Sequence, residues 1–291
     1  MDRYRFLIGL YRCMIVLDGM RAYANPGRRF FANAPAMQLA DTLRGHDLDF
    51  DTWTEYMSPY PSLLIETGLH RILIDVGAGS MTPGCGNLLA NLGKSGITAQ
   101  DVDTVILTHG HADHVGGLVK GDGTLIFPRA HYYITQEEWD FWTGEPDLTS
   151  LAIGDEEREM MVQRAQESLL ALEGRVRFVE GEQEIVPGIV AIPAPGHTPG
   201  HMAVGVYSHG SAMLNIADAA LHPIALEHPE WRSVFDLDWE QAERSLRMLM
   251  QRAYEEHMLV FGYHFCFPCL GHVTPSSAGW QWQPGEVRLA A

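Results

Sequence analysis

Apolar and polar positions along this chain follow two periods, and the periods predict its elements. Short apolar, β-branched runs at 6–17, 62–66, 71–76, 104–108, 130–135, 176–179, 189–193, 202–207, 212–217 and 259–261 predict strands. Stretches with apolar residues three and four apart predict helices over 35–44, 87–95, 155–173 and 238–256, with another opening at Gln136. On the helix over 155–173, Met160, Met161, Leu169, Leu170 and Leu172 form an apolar stripe expected to pack in the core. Two stretches carry neither period. Asn25-Pro-Gly-Arg-Arg29 is a turn-rich connection, and 49–61 is aromatic and irregular, a packed surface loop or the wall of a pocket. Two β-rich halves, each trailed by helices, predict an α/β fold: a two-sheet sandwich with helices outside. No linker-like composition interrupts the chain, so residues 1–291 are expected to form one domain.

Composition narrows the function classes. At 46% hydrophobic residues, the chain can bury a sizeable core. A net charge of −17 repels polyanions, which argues against a nucleic-acid partner. The four cysteines, Cys13, Cys85, Cys266 and Cys269, form no disulfide framework and suit a reducing compartment, so a cytoplasmic location is expected. Cys266-Phe-Pro-Cys269 has C-x-x-C spacing but no second pair, and is read as core or pocket wall. No apolar segment is long enough to span a membrane. The apolar N-terminal run is broken by Arg12 and lacks a small-residue cleavage site, so it reads as a first strand and turn rather than a signal peptide.

The chemistry concentrates where the run 104–108 ends. Within the next six residues stand His109, His111, Asp113 and His114. Two histidines at i and i+2 on extended backbone point the same way and can bind one ion through neutral imidazole nitrogens. Asp113 and His114 follow after the chain turns and can face a second ion. Gly110 permits the turn, and Gly116–Gly117 let the backbone pass close to its neighbours. The same placement recurs: His197, Asp218 and His264 each follow a predicted strand. His201, on the next strand start, is left as a supporting or core residue.

The pattern His109-x-His-x-Asp-His114, followed by Gly196-His197, Asp218 and His264, resembles the signature of the metallo-β-lactamase superfamily, in that family's order. The resemblance implies a four-layer αββα sandwich of two mixed sheets flanked by helices. It also implies two Zn²⁺ ions, although such sites accept iron, cobalt or manganese. His109, His111 and His197 would hold one ion and Asp113, His114 and His264 the other, with Asp218 bridging. Asp75 would support the metal loop rather than bind metal. Two such cations share a water, lower its pKa toward about 7 and so supply a bridging hydroxide for hydrolysis.

Tyr60-Pro-Ser-Leu-Leu, Phe127-Pro-Arg-Ala-His-Tyr, Glu138-Trp-Asp-Phe-Trp142 and His264-Phe-Cys-Phe-Pro268 resemble the branch holding quorum-quenching N-acyl-homoserine lactonases and methyl parathion hydrolase. That branch implies a small lactone or ester substrate, with a phosphotriester as the alternative, and a homodimer. Asp113, Asp218 and His222 are the residues expected to take part in the reaction, and Met57, Tyr60, Trp142, Leu221 and Phe265 to form the pocket. The chain departs from the lactonases at Leu221, where they carry a tyrosine three residues after the bridging Asp. Either His222 takes over part of that role or no side chain does. A non-catalytic, metal-bound binding protein is the reading of another class; turnover of a generic activated ester, lost to a chelator and restored by zinc, separates the two.

Overall fold

The computed structural model describes residues 1–80 and 82–285. The N-terminal apolar run is a hairpin, β1 (Arg3–Ile8) and β2 (Tyr11–Ala24). The turn-rich connection after it closes into a short helix, α1 (Pro26–Phe30), and α2 (Ala36–Gly45) follows. The aromatic stretch read as irregular is strand from Glu55 on: β3 (Glu55–Glu66) pairs antiparallel with β2 along its whole length, out to Glu55↔Ala24. Pro59 and Pro61 disguise it. Proline lacks the N–H a ladder uses, and these two lie beside the register shift between Leu17 and Gly19.

The chain continues through β4 (Arg71–Ile74), α3 (Leu88–Gly93), β5 (Thr104–Ile106), α4 (Ala112–Val115), β6 (His131–Thr135), α5 (Gln136–Thr143), α6 (Asp155–Leu169) and β7 (Val176–Val179). The second half holds β8 (Gln183–Val186), β9 (Ile189–Pro193), β10 (Met202–Ser208), β11 (Ser211–Asn215), α7 (Ile224–Glu227), α8 (Trp239–Glu255), β12 (Leu259–Phe261), β13 (Leu270–Pro275) and β14 (Trp280–Pro284). Among the described residues there are two seven-stranded sheets, ordered β1 to β7 and β14 to β8. Both are mixed: β4 through β7 run parallel, as do β11 and β12, and the other pairs are antiparallel.

Alternation within strands makes the layers. Leu63, Ile65, Ile72 and Ile74 face the core shared with Val204, Leu214 and Val260 of the other sheet. Leu64 and Leu73, between them in sequence, face a second core with Leu92, Val105 and Leu169, under α3 and α6. Sheet one is thus buried on both faces, which is why its strands read as continuous apolar runs. On the other side α8 buries Leu246, Leu249 and Met250. The result is the αββα sandwich. Because β4/β5 and β11/β12 are parallel pairs, each pair delivers its C-terminal ends to one edge, and Asp75, His109, Asp218 and His264 follow those ends.

Candidate metal centre

The loop after β5 is shaped from beneath. A Cβ on Gly110 would stand 2.4 Å from Trp142 Cδ1, so the indole packed there excludes any side chain at 110. A Cβ on Gly117 would stand 2.0 Å from the Val76 carbonyl oxygen, so the backbones pass as closely as only glycine allows. Glu138, fully buried in α5, ties this loop to the one carrying His197. Its carboxylate accepts from Gly110 N–H (2.7 Å) and Trp142 Nε1 (2.6 Å) on one side, and from Thr198 Oγ1 (2.6 Å) and Gly200 N–H (3.0 Å) on the other. Burial pushes its pKa up against those four donors.

The loops bring the seven candidate ligands together in two adjoining groups, His109, His111, His197 and Asp218, then Asp113, His114 and His264. Within each group the ligand atoms lie within 4.8 Å of one another. Asp218 stands between the groups: Oδ1 is 3.1 Å from His114 Nε2, and Oδ2 is 3.1 Å from His264 Nε2, 3.4 Å from His197 Nε2 and 3.7 Å from His109 Nε2. It follows a backbone turn with Ala217 at φ 45°, held by Asn215 Oδ1 accepting from Ala217 N–H (2.9 Å).

The outer nitrogens of the rings are engaged. His114 Nδ1 donates to Asp75 Oδ2 (2.8 Å), and His197 Nδ1 to Asp236 Oδ1 (2.9 Å). His264 Nδ1 meets Ser58 Oγ at 2.8 Å. Thr108 Oγ1 donates to Asp75 (2.9 Å) and so accepts from His109 Nδ1 (3.1 Å). These bonds turn each Nε2 inward, where that of His197 meets His111 Nδ1 (3.0 Å) and that of His264 meets Asp218 Oδ2 (3.1 Å). There, His109 Nε2, His114 Nε2 and Asp218 Oδ1 are buried and have no hydrogen-bond partner. Buried polar atoms seldom go unmatched, and inward-facing lone pairs on His and Asp are what a divalent cation satisfies; the residues fit a metal pair.

Electrostatics agree. Burial, then the neighbouring rings, hold His109 and His111 well below the usual histidine range, as neutral ligands must be. His114 and His197 rise instead: burial opposes the charge, but Asp218, Asp75 and Asp113 outweigh it at His114, and Asp236 and Asp218 at His197, so these two rings attract the positive charge that a cation would bring. Asp218 stays well below the usual carboxylate range despite burial, because His264 and His114 face it. The surroundings therefore favour positive charge at the centre. His201 is no ligand, since Nδ1 donates to Ala194 O (2.9 Å) and Nε2 accepts from Asp218 N–H (3.1 Å).

A cavity of about 100 Å³ opens on the cluster. Of the pocket residues expected from the sequence, Tyr60 and Leu221 line it. The other three do not. Met57 is half exposed on β3, Trp142 is fully buried beneath Gly110, and Phe265 is fully buried against Trp282. His222 also points elsewhere, into a box of Phe30, Phe31, Trp53 and Tyr56, where burial lowers its pKa to about 3. It is a packing residue there, away from the cavity. Sequence reading missed Arg21, Tyr23, Met160, Met161, Arg164 and Phe235, which do line the cavity. The Met160–Met161 stripe is cavity wall rather than interior, and Met160 is 45% exposed. A larger groove of about 780 Å³ runs along the outer flank of α6 and holds none of the cluster.

The metallo-beta-lactamase superfamily profile matches residues 58–262, which hold the whole cluster except His264. The chain belongs to the metallo-beta-lactamase superfamily. Within this superfamily it is 28% identical, over 189 residues, to a probable metallo-hydrolase of Mycobacterium tuberculosis, covering 55% of this chain and 56% of that protein. It is 27% identical over 176 residues to an N-acyl homoserine lactonase of a Bacillus species, covering 60% of each. The chain thus spans under two thirds of the length of these curated relatives. Among solved structures, AidC, a dizinc quorum-quenching lactonase in complex with a product, superposes with a TM-score of 0.90 at 24% identity, over 99% of this chain and 98% of that one, a likeness of fold.

Proposed function

We propose that this chain is a metal-dependent hydrolase that opens lactones and related carboxylic esters, with N-acyl-homoserine lactones as the leading substrate. The observation that carries this reading is the convergence of buried, unpartnered lone pairs on His109, His114 and Asp218 at a cavity. His109, His111 and His197 would hold one ion, and Asp113, His114 and His264 the other, with Asp218 between them; zinc is the proposed metal. A divalent pair bound there supplies a water acidified toward neutral pH and a Lewis acid for the scissile carbonyl.

The chain's own groups do the rest. Leu221, Phe235 and Met161 form an apolar wall that seats the acyl portion and excludes bulk water. The hydroxyls of Tyr23 and Tyr60 lie 2.8 Å apart in the same cavity. Their mutual bond uses one of their two protons and leaves the other to donate to a substrate oxygen. Asp113, the more open of the two ligand carboxylates at 16% side-chain exposure, can take a proton from the attacking water and pass it to the leaving alkoxide. The relatives named as lactonases support the lactone assignment, and quorum quenching in the cytoplasm is the role that follows from it.

A phosphotriester is the second reading, favoured by one observation: Leu221 puts an apolar side chain at the cavity where a lactonase-type tyrosine would stand. Proton release from an N-acyl-homoserine lactone by the zinc-loaded protein, with a phosphotriester run in parallel, decides between them. A lactone kcat/KM at or above ~10⁴ M⁻¹s⁻¹ supports lactonase activity. A negligible lactone rate beside clear phosphotriester turnover moves the assignment. Asp218→Ala is expected to lose both bound metal and turnover, and full activity in that variant would sink the metal-dependent mechanism.

A further inference from the structure

We propose that Arg21 and Arg164 form an anion-recognition pair in the cavity, so that the ester or lactone cleaved there carries a carboxylate on the portion extending away from the His/Asp cluster. The inference rests on the metal-dependent hydrolase reading above but departs from its leading substrate: an N-acyl-homoserine lactone is neutral, and the pair points to a lactone or ester that bears a carboxylate.

Arg21, on β2, and Arg164, on α6, line the same cavity as His111, Asp113 and Asp218. The chain carries 37 Asp and Glu against 20 Lys and Arg, so acidic partners are plentiful. Yet among the described residues no ion pair within 4.0 Å forms at either arginine. Arg21 lies near the Tyr60 and Tyr23 hydroxyls, with Asp113 acting on it from beyond ion-pair distance, and Arg164 is steadied by a neutral group. Arg164 Nη1 donates to Thr82 Oγ1 at 3.0 Å, and the Arg21 guanidinium lies 5.8 Å from the centre of the Tyr23 ring. Most of their N–H donors stay open.

Outside the cluster, the one acidic side chain among the described lining residues is Glu157, and Arg29 engages it at 2.5 Å. Glu157, Met160, Met161 and Arg164 fall three, four and seven apart, so α6 presents them on one face. A wall built only for an alkyl chain has no use for two guanidinium groups. A planar fork is the group that grips a carboxylate through two parallel bonds.

Two chromogenic esters that differ by one charge test this: 4-nitrophenyl hydrogen glutarate and 4-nitrophenyl methyl glutarate, with the zinc-loaded protein at low salt and each rate corrected for protein-free release, which the glutarate carboxylate itself promotes through the cyclic anhydride. The expected result is a kcat/KM about tenfold or more in favour of the acid, within the range of charge-assisted hydrogen bonds. That ratio should shrink toward one in Arg21→Gln and Arg164→Gln, survive in part in Arg21→Lys and Arg164→Lys, and fall as salt rises. A ratio of one or below in the unaltered protein overturns the proposal, as does a preference untouched by both glutamine variants. A ratio near one together with product inhibition relieved by those variants assigns the pair to the released carboxylate and overturns the substrate assignment. If neither ester is cleaved, the lactone and phosphotriester assay above decides the hydrolase reading separately. Calorimetric titration with monomethyl glutarate then reads the pair alone: binding lost in both glutamine variants at unchanged zinc content supports it, and no binding overturns it.

Discussion

Whether a histidine here faces the centre or fills the interior turns on what holds its two ring nitrogens. His109, His114 and His197 have Nδ1 held by Thr108, Asp75 and Asp236, which leaves Nε2 for the centre. His201 has both nitrogens engaged by backbone, and His222 is boxed by aromatic rings. The buried His222 ring makes a stability prediction with a definite sign. Burial, then His46, lowers its pKa to about 3, while in the unfolded chain it titrates near about 6.5. Between those values the unfolded state binds the extra proton, so the contribution is fully present above about pH 6.5 and is lost as pH falls toward about 3. Its share of the loss between pH 7 and pH 5 is about 2 kcal/mol. His222→Phe, which keeps a ring in an aromatic box, should lose that much less stability than the unaltered chain over the same interval, measured by urea unfolding at the two pH values. Equal losses would show that the ring titrates normally when folded.

At the scale of elements, the centre depends on how the loops are locked to one another. Glu138 holds both ligand loops from α5, so its side chain acts on metal binding from a distance. Glu138→Ala would leave Gly110 N–H, Gly200 N–H, Thr198 and Trp142 without their acceptor in the interior. The expected loss is about 3–5 kcal/mol of stability together with weaker zinc binding, read by denaturant unfolding and by competition with a chromogenic chelator. Unchanged zinc affinity would mean that the loops hold their shape without the carboxylate. Helix α6 contrasts with α5. It buries only Ala165, Ser168 and Leu169, all in its last turns, while its first turns supply the cavity wall. Its 3.6-residue stripe was legible in the sequence, but periodicity reports which side is apolar and not whether protein or a cavity lies opposite.

For the whole molecule, the cluster lies where loops of two sheets meet, so a bound metal pair ties the halves of the sandwich together. Anything that binds the folded state alone stabilises it by mass action. Chelation of the zinc-loaded protein should therefore lower its Tm by on the order of 5–10 °C, and added zinc should restore it, as followed by circular dichroism. A midpoint indifferent to both would argue that the cluster does not hold metal in the folded protein. Among the described residues no helix is long and apolar enough to cross a membrane.

Local sequence by itself determined the α/β class, the positions of the seven candidate ligands and most of the strand runs, though not β8, β13, β14 or the first half of β3. Strand hydrophobicity and the spacing of His and Asp at strand ends are written in consecutive residues, and a strand that stops at the sheet edge must hand its next residues to the loop there. The tertiary structure alone decided the surroundings of those ligands. Arg21, Tyr23, Met160, Arg164 and Phe235 reach one cavity from β2, α6 and the loop before α8, segments as much as 214 residues apart. Trp142, Phe265 and His222, adjacent in sequence to motif residues, were turned into the interior. An aromatic residue beside a ligand has the same local pattern whether it lines a cavity or packs beneath a loop. Which of the two occurs is set by what the rest of the fold lays against it, and no local period carries that information.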